Sequence, residues 1–388
     1  MTGETVSKPA IAVASHTALD SIDAAQWNAL AGAYPFLRHE FLAALEHSGC
    51  VGEGTAWHPV HLSARDESGR LVGALPLYLK FDSRGEFVFD WGWADAFERA
   101  GLAYYPKLVA AIPFTPANGP RMLLAADSDT VGVSSALLSA CSDLAELNEA
   151  SSIHVLFPDD RDREILASAG YLARKGCQFH WRNRGYSDFS EFLAEFTSAK
   201  RKKVRRERRR IAEAGIMFEH LRADELSPAD WEAVFGFYSR TFMRRGRSPY
   251  LNRDFFDEIS ATMPENLIVI LARYGTQPIA GAICFRSDTA LYGRYWGSLA
   301  DFHSLHFETC YYQGIEYCIN EGLALFEPGT QGEHKVSRGF SPTQTWSCHQ
   351  VFNAEFRSAI EDFLHRETAY VDAYIDEVDE HIPYKSKV

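Results

Sequence analysis

The C-terminal third of this 388-residue chain concentrates side chains that can move protons. Histidine and glutamate occur close together twice, at 306–308 and at 333–334, and a tyrosine stands at 311. An imidazole that a carboxylate orients can take a proton from a reacting group, and a phenol can supply one. These residue types predict general acid–base chemistry in this part of the chain. The candidate catalytic residues are His306, Glu308, Tyr311, Glu333 and His334.

These candidates are expected to meet at one edge of a sheet. His306 and Glu308 stand where a loop leads into a helix, and Glu333 and His334 follow a short apolar strand at 324–328. Adjacent strands open toward the same edge, and ligands bind in the crevice there. We predict that His306 or His334 is the base and that Glu308 or Glu333 orients it.

The same residue types also suit different roles. Glu308 near a helix start is favoured by the helix dipole alone. The spacing His303-x-x-His306-x-Glu308 offers ligand types that zinc accepts, although it is not a known zinc signature, and we predict no metal. Cys310 could act as a nucleophile, but a free cysteine in a helix is more often a packing residue.

A second group of candidates lies in the N-terminal half, in DWGWAD at 90–95 and in the tyrosine pair that follows. Alternation along a strand would place Trp91 and Trp93 on one face and Asp90 on the other. Tryptophans of this kind often fill a sheet core, yet aromatic faces beside carboxylates also suit a cationic amine. We predict substrate binding by Asp90, Trp91, Trp93, Asp95, Tyr104 and Tyr105, and in the C-terminal half by Arg294, Tyr295, Trp296 and Arg338.

The most unusual stretch is KRKKVRRERRR at 200–210, with nine cations in a chain whose net charge is −13. Val204 and Ile211 are spaced for one face of a helix, and Gly215 suits its end. Such a run is often just a solvated surface, but a phosphate partner would offset the mutual repulsion of the cations. The candidate anion-binding residues are Lys200, Arg201, Lys203, Arg205, Arg206 and Arg209.

The elements that must position these residues follow the same plan twice. Residues 60–75 and 268–283 each alternate apolar and polar around a turn, which predicts antiparallel hairpins. A third strand containing Trp-Gly follows each hairpin, at 91–92 and at 296–297, and then an aromatic-rich helix, which begins near Tyr104 in the first copy. We predict an α+β fold of two domains, each with a mixed, mostly antiparallel sheet flanked by helices. Their limits are 1–186 and 216–388, and a basic helical connector spans 187–215.

Composition narrows the class of protein. Seven scattered cysteines without a CxxC pair argue against a disulfide framework and a zinc knuckle. No apolar stretch reaches the roughly 18–20 residues of a membrane span, and the N-terminus lacks the features of a secretory signal. Net acidity argues against a broad nucleic-acid binder. We expect a cytoplasmic protein.

Six segments together resemble a known family. They are GEFVFDWGWADAFERAGLAYYPKL (85–108), PFTPANGPRML (113–123), SSIHVLFP (151–158), GCQFHWRNRGY (176–186), KRKKVRRERR (200–209) and the long segment from HFETCYYQG to TWSCH (306–349). The order of elements resembles the GNAT acyltransferase fold, and two such domains with a basic helix between them resemble the Fem-type peptidoglycan aminoacyltransferases. The chain is most similar to the FemAB-like family of peptidoglycan biosynthesis and recognition proteins, which are predicted N-acyltransferases.

The resemblance implies transfer of an acyl group to an amine, without saying which acyl group or which amine. We predict an acyltransferase that moves groups other than aminoacyl, with acyl-CoA or the phosphopantetheine of an acyl-carrier protein as the donor. The predicted acceptor is a primary amine of a lipid or envelope precursor such as a sphingoid base. Tyr311 or Tyr312 could then protonate the leaving group. Alternatives are a Fem-like transferase that uses aminoacyl-tRNA, and a non-catalytic protein that recognises envelope fragments. One feature departs from GNAT enzymes: neither ADAFERAG nor SLADFHSLHF reproduces their pyrophosphate-binding loop.

The resemblance also suggests partners for the basic run. Phosphates of CoA, of acyl-carrier phosphopantetheine or of anionic lipid headgroups would suit it, and each basic residue near an anionic membrane contributes about 1 kcal/mol. We therefore expect two partners: an acyl-carrier protein, and the cytoplasmic face of the inner membrane, to which the protein would bind peripherally. A tRNA would need a broader basic surface than this run supplies.

Overall fold

The computed structural model describes residues 11–299, 302–330 and 332–385, which form two compact units. Unit 1 comprises Met1–Arg174 and Trp346–His365, and unit 2 comprises Lys175–Thr345 and Arg366–Val388. These limits differ from the predicted domains, because residues 187–215 belong to unit 2 and a C-terminal segment belongs to unit 1. The N-terminal residues that bear on a secretory signal, and Ala300, Asp301 and Gln331, lie outside the described residues.

The elements follow in chain order. The strands are β1 (Ala12–His16), β2 (Trp57–Pro59), β3 (His61–Arg65), β4 (Leu71–Leu75), β5 (Tyr78–Lys80), β6 (Lys107–Ala110), β7 (Leu123–Leu124), β8 (Ser152–Leu156), β9 (Leu172–Arg182), β10 (Ile216–Arg222), β11 (Leu267–Tyr274), β12 (Gln277–Arg286), β13 (Ala290–Ser298), β14 (Leu325–Glu327) and β15 (Ser341–Val351). The α-helices are α1 (Ala24–Ala31), α2 (His39–His47), α3 (Trp91–Arg99), α4 (Thr130–Leu147), α5 (Asp160–Ser168), α6 (Phe189–Ala194), α7 (Ser198–Glu213), α8 (Pro228–Met243), α9 (Arg253–Thr262), α10 (Leu305–Phe307), α11 (Gln313–Asn320) and α12 (Ala354–Asp379). None of the described helices is long and apolar enough to cross a membrane.

Unit 1 contains two groups of paired strands. Strands β1, β3, β4 and β7 pair in that order, all antiparallel, and β3 and β4 form the predicted hairpin at 60–75. Strands β2, β5, β6 and β8 and the C-terminal part of β15 pair in that order, with β6 and β8 parallel. Helix α4 covers the first group, because Val133, Leu137, Cys141 and Ala145 recur every four residues and are all buried.

Unit 2 is built on one run of strands, in the order β10, β11, β12, β13, β14 and β9. The hairpin of β11 and β12 and the third strand β13 confirm the prediction for this half. Strands β13 and β14 are parallel, and their pairing ends at Tyr292 and Glu327, although β13 continues to Ser298. Pro328 follows β14 and has no N–H to continue the ladder. The two strands therefore separate and leave an opening at their carboxyl ends.

The helical chain between β13 and β14 is interrupted by a wider turn. Residues Glu308–Tyr312 form a π-helical turn between α10 and α11. Such turns insert one residue into a helix and re-aim the side chains that follow, and they are frequent at functional sites. This turn carries Glu308 and Tyr311, two of the predicted catalytic residues.

The prediction for the third strand of the first half was wrong. Residues 91–99 form helix α3, and the predicted helix near Tyr104 is instead strand β6. Gly85 and Phe87 adopt positive φ angles of 80° and 61°, which end the extended alternation before it reaches the tryptophans. Trp93 and Phe97 are buried one helical turn apart, so the helical spacing prevails.

The two Trp-Gly pairs therefore stand in different surroundings, and this gives a matched test. A Cβ on Gly297 would collide with the backbone carbonyl of Phe237 where α8 packs on β13, whereas one on Gly92 would meet open space. We expect Gly297→Ala to lower the free energy of unfolding by about 1–3 kcal/mol or more. Gly92→Ala should leave it unchanged or raise it by about 0.5–1 kcal/mol, because glycine is disfavoured in a helix. Urea denaturation of both variants measures the contrast, and equal effects would contradict it.

Candidate functional site

Three of the predicted catalytic residues meet at the opening between β13 and β14. The Tyr311 hydroxyl and Nε2 of His334 form a hydrogen bond of 2.8 Å. The ring of His306 lies 5.3 Å from that of Tyr311 and 6.0 Å from that of His334, between centroids. Trp296 of β13 closes one side, 5.3 Å from His306. We call these residues the histidine cleft.

Both histidines of the cleft favour their neutral form. Burial lowers the pKa of His306 to about 4, and the nearby His334, Arg338 and Lys335 add to this effect. The pKa of His334 is also lowered, first because the surrounding protein partly desolvates the ring although its outer edge is exposed, and then by Arg338 and Lys335. Burial raises the pKa of the Tyr311 phenol well above its ordinary value. At neutral pH the cleft therefore holds two uncharged imidazoles, which can accept a proton, and one protonated phenol.

Gly332 fixes the position of His334. Its φ angle of 109° favours glycine, and a Cβ there would collide with the His334 imidazole. The 3₁₀ turn from Glu333 to Arg338 follows directly and presents His334, which is exposed, at the mouth of the cleft. The backbone thus lies flat against the ring, where a larger residue would displace it.

Lys335 belongs to the same turn but was not among the predicted site residues. Its side chain is buried, and Nζ donates a hydrogen bond of 2.5 Å to the carbonyl of Gly329. Burial lowers its pKa to about 7. Its place beside His334 in EHKVSR was the available signal, but a lysine in a loop is usually exposed, so the sequence alone did not single it out.

Among the described residues, neither Glu308 nor Glu333 pairs with a histidine, contrary to the prediction. Glu308 accepts hydrogen bonds from Arg208, at 3.0 Å, and from Gln313, at 2.8 Å. Glu333 accepts one from the Tyr374 hydroxyl at 3.0 Å. Because Glu308 and Tyr311 lie in a π-helical turn, their side chains point in different directions. The Glu308 carboxylate points toward α7 and the Tyr311 phenol points toward His334. The group that orients the histidine is a tyrosine.

Arg338, which was predicted to bind substrate, is buried and hydrogen-bonded within unit 2, and substrate binding by it stays a prediction. One of its Nη atoms donates to the carbonyl of His334 at 2.7 Å and the other to Glu207 at 2.8 Å. Glu207, the single glutamate of the basic run, is also buried and accepts a hydrogen bond from the Tyr312 hydroxyl. Glu207 therefore links α7 to the turn that carries His334 and to the π-helical turn that carries Tyr311.

The other predicted residues of β13 point to two different sides. Tyr295 packs against Tyr238 of α8, with 4.7 Å between ring centroids. Trp296 faces the opposite side of the strand and reaches His306, as alternation requires. The Arg294 guanidinium lies 5.6 Å from the Tyr295 ring. Of these three, Trp296 belongs to the histidine cleft.

In the N-terminal half, three of the residues predicted to bind substrate, Asp90, Tyr104 and Tyr105, lie around Lys107. The Lys107 ammonium is completely buried in unit 1 and forms ion pairs with Asp90 and, at 2.8 Å, with Glu86. It lies 5.3 Å from the Tyr104 ring and 5.8 Å from the Tyr105 ring. Asp90, Tyr104 and Tyr105 therefore surround a lysine, and substrate binding by these residues stays a prediction.

The remaining residues of that prediction are dispersed. Trp93 is buried against His349, at 4.9 Å between rings, whereas Trp91 and Asp95 are exposed on α3. His349 and His154 share a hydrogen bond of 2.7 Å between their Nδ1 atoms, and burial lowers the pKa of His154 to about 3. The two histidines come from strands far apart in sequence, so no local pattern could reveal this pair.

The basic run forms helix α7, as predicted, and its apolar positions Val204 and Ile211 are buried. Lys200, Arg201 and Lys203 are half-buried, and Arg205, Arg206 and Arg209 are exposed. Arg208 is half-buried and forms ion pairs with Glu308 and Glu316. Anion binding by this helix remains a prediction.

Among the described residues, no three potential metal ligands are grouped to hold an ion. His303 contacts Ser304 at 2.6 Å and Glu308 is bound to Arg208, so the spacing at 303–308 does not produce a shared site. Burial raises the pKa of Cys310, which keeps its thiol protonated and weakly nucleophilic.

Comparisons with known proteins agree with this fold. A family model described as FemAB-like, peptidoglycan biosynthesis/recognition, matches residues 18–386. The structure is similar to that of FemX, with 13% identity, a TM-score of 0.54 and coverage of 88% of this chain and 98% of the other. It is also similar to L-PGS from Bacillus licheniformis, with 11% identity, a TM-score of 0.51 and coverage of 84% and 96%. A search of curated sequences found no match. At these identities the structural likeness shows the fold, which consists of two GNAT-like units of mixed, mostly antiparallel sheet with flanking helices.

Removal of the Glu207 carboxylate tests the link between α7 and the cleft. We expect Glu207→Ala to lower the free energy of unfolding by about 3–5 kcal/mol, because Arg338 would remain buried without its counter-charge. Glu213→Ala is the matched control on the same helix. Its exposed pair with Arg209, at 3.6 Å, should contribute less than about 1 kcal/mol. Denaturant titration measures both, and a small loss in Glu207→Ala would contradict the assigned role.

Proposed function

The chain belongs to the FemAB-like family of peptidoglycan biosynthesis and recognition proteins, and from that premise we propose that it transfers an acyl group to a primary amine in the histidine cleft of unit 2. Acyltransferase activity is the coarse function that the family and the fold support. The hydrogen bond between Tyr311 and His334 carries the proposal, because it gives the cleft an oriented, accessible base.

His334 is the proposed general base. In the tautomer in which its Nε2–H donates to the Tyr311 oxygen, Nδ1 has a free lone pair and can take a proton. His334 is exposed and Tyr311 is 3% exposed, so the imidazole is the group that a substrate can reach. Tyr311 is a positioning residue that holds the ring and its tautomer, the role that a carboxylate has in many hydrolases.

The reaction balances with these groups. The amine nitrogen attacks the thioester carbonyl, and Nδ1 of His334 takes the proton that the nitrogen loses. The carbon–sulfur bond then breaks, and the imidazolium returns that proton to the leaving thiolate. The products are an amide and a free thiol, and the enzyme is restored without any other reagent. Trp296 and Phe307 supply apolar walls that keep water away from the reacting carbonyl.

We propose acyl-CoA or an acyl-carrier phosphopantetheine as the donor and an amine of a lipid or envelope precursor as the acceptor. A sphingoid base is one acceptor of this class and stays a prediction. Work on such precursors would take place at the cytoplasmic face of the inner membrane, where the exposed cations of α7 would favour peripheral binding. The family description favours one alternative, a Fem-like transfer of an aminoacyl group from tRNA to a peptidoglycan precursor.

The first test is turnover. The purified protein with an acyl-CoA and a long-chain primary amine should release one thiol for each amide formed. We expect His334→Ala to lower kcat/KM by about 10²–10⁴-fold, the usual contribution of a general base. His303→Ala, which removes an exposed imidazole on the preceding loop, should have little effect. Activity that requires aminoacyl-tRNA and disappears after RNase treatment would support the Fem-like alternative instead. Binding without turnover by any donor would contradict both.

The second test is the pH profile. The pKa of His334 lies below the ordinary histidine value of 6.5, and the base must be neutral. Activity should therefore persist as the pH falls through 6.5 and be lost only at lower pH. Tyr311→Phe removes the oxygen that stabilises the imidazolium, so the loss should move to still lower pH, and the rate should fall by about 10–100-fold because the ring is no longer held. An unchanged profile in Tyr311→Phe would assign the phenol a purely structural role.

A further inference from the structure

Unit 2 contains one buried lysine that has no counter-ion. Three lysines are buried among the described residues, and two of them, Lys80 and Lys107, form ion pairs with carboxylates. Lys335 is 1% exposed, and in the described part of the chain no carboxylate pairs with it. A buried ammonium without a partner is unfavourable, because it loses its hydration and gains no interaction of equal strength. Lys335 therefore lowers the stability of the unit that contains it.

The titratable groups around Lys335 are bases and a thiol. Each lies close enough to interact electrostatically with its side chain: His306 of α10, Cys310 of the π-helical turn, His180 of β9 and His334 of its own turn. Arg338, at the end of the same turn, adds a fixed positive charge. These surroundings contain no anion at neutral pH, because burial raises the pKa of the Cys310 thiol. The neutral amine of Lys335 is therefore well populated near its pKa of about 7.

Lys335 links the turn that carries His334 to the end of β14. Its Nζ donates a hydrogen bond of 2.5 Å to the carbonyl of Gly329, which both the amine and the ammonium can do. Gly329 has a φ angle of 89° and lies against β13, where a Cβ would stand 3.4 Å from the carbonyl of Gly293. The side chain of Lys335 thus holds the turn at the edge of the opening between β13 and β14.

Two other contacts hold the turn from the opposite side of the cleft. Arg338 joins it to Glu207 of α7, and the His334 ring joins Tyr311 of the π-helical turn. Both partners belong to helical segments, so neither contact fixes the distance between the turn and the strands. Without Lys335, the turn would be free to move away from β14. A displacement of about 1 Å of a catalytic group can lower a rate by about 100-fold.

We propose that Lys335 is a positioning residue for acyl transfer, and that its hydrogen bond to Gly329 sets where His334 lies in the histidine cleft. Lys335 acts on the reaction through His334 and does so at the expense of stability. Proteins retain such residues where activity and stability make opposite demands. The catalytic consequence rests on the proposed function, whereas the placement of His334 does not.

The same substitution at two buried lysines tests the stability. Lys335→Met keeps the length of the side chain and removes the amine that has no counter-ion, so the melting temperature at pH 7 should stay the same or rise. Lys107→Met leaves the buried Glu86 and Asp90 without their cation and should lower the melting temperature. An equal loss in both variants would make Lys335 an ordinary structural lysine and would overturn the proposal.

The pH dependence of this contrast has a defined sign. The pKa of Lys335 is about 7 in the folded chain and 10.5 for an ordinary lysine, so the unfolded chain binds more protons between these values. The destabilisation by Lys335 is therefore complete below pH 7 and disappears as the pH rises toward 10.5. The advantage of Lys335→Met should shrink over that range, by about tenfold in the unfolding equilibrium constant for each pH unit.

NMR titration of the histidines tests the placement of His334 without any turnover. The charge of Lys335 helps to lower the pKa of His334. Lys335→Met should therefore raise the pKa of His334 toward 6.5 and shift the Nε2 signal that reports its hydrogen bond to Tyr311. Lys202→Met removes one positive charge from an exposed position of α7 and should leave both observables unchanged.

Turnover provides the third measurement. Lys335→Met should lower kcat by about 10–100-fold and change KM less than about twofold, because the base is displaced while the walls of the cleft remain. Combined with Tyr311→Phe, it should lower kcat by less than the product of the two single effects, since both residues act through one imidazole. Unchanged kcat and an unchanged pKa of His334 would overturn the proposal. If the parent protein transfers no acyl group from any donor, the proposed function fails, and the NMR titration alone decides whether Lys335 places His334.

Discussion

The buried carboxylate of Glu207 is the interaction on which the arrangement of unit 2 depends. A charge withdrawn from water must be paired and hydrogen-bonded, because its desolvation costs several kcal/mol. Glu207 meets this requirement with Arg338 and Tyr312, which belong to two segments that are distant in sequence. One of these segments also carries His334 and the other Tyr311. The contact between the proposed base and the tyrosine that holds it is therefore a consequence of how a glutamate in a cationic helix is neutralised.

The same constraint explains why the basic run contains a glutamate at all. An α7 made only of cations would have nothing to place opposite Arg338, and its buried face would be limited to Val204 and Ile211. With Glu207 on that face, the helix forms a buried ion pair with Arg338. Arg208 forms two more ion pairs, with Glu308 and Glu316, and Arg205, Arg206 and Arg209 are exposed. In unit 1 the buried ion is a cation: Lys107 forms ion pairs with Asp90 and Glu86 and lies beside the rings of two tyrosines. Each unit thus arranges polar and aromatic side chains around a buried ion, an anion in one unit and a cation in the other.

Sequence patterns predicted the elements whose signal is local. The hairpin of β11 and β12 alternates with period two, and α7 and α8 carry apolar residues at helical spacing, so these elements were predictable. At 85–99 the sequence fits both the two-residue period of a strand and the 3.6-residue period of a helix. The positive φ angle of Phe87 ends the strand-like pattern, and the spacing of apolar residues does not predict that angle. For the site, the grouping of His306, Tyr311 and His334 was predictable because the loops that follow adjacent strands lie at the same edge of the sheet. The partners of Glu308 and Glu333 were not, since a π-helical turn rotates side chains by an amount that spacing does not reveal.

The choice of a tyrosine to orient the histidine has a chemical consequence. A carboxylate beside an imidazole stabilises the protonated form and raises its pKa, so the base would be partly protonated at neutral pH. A neutral phenol supplies the hydrogen bond without that charge, and Arg338 and Lys335 move the pKa of His334 in the opposite direction. The result is an imidazole that is free to accept a proton across the neutral range. An amine nucleophile is mostly an ammonium ion in water at neutral pH, and a cationic surrounding disfavours that form, so the amine gives this first proton to water before it attacks. His334 then takes only the second proton, which the nitrogen loses after the attack.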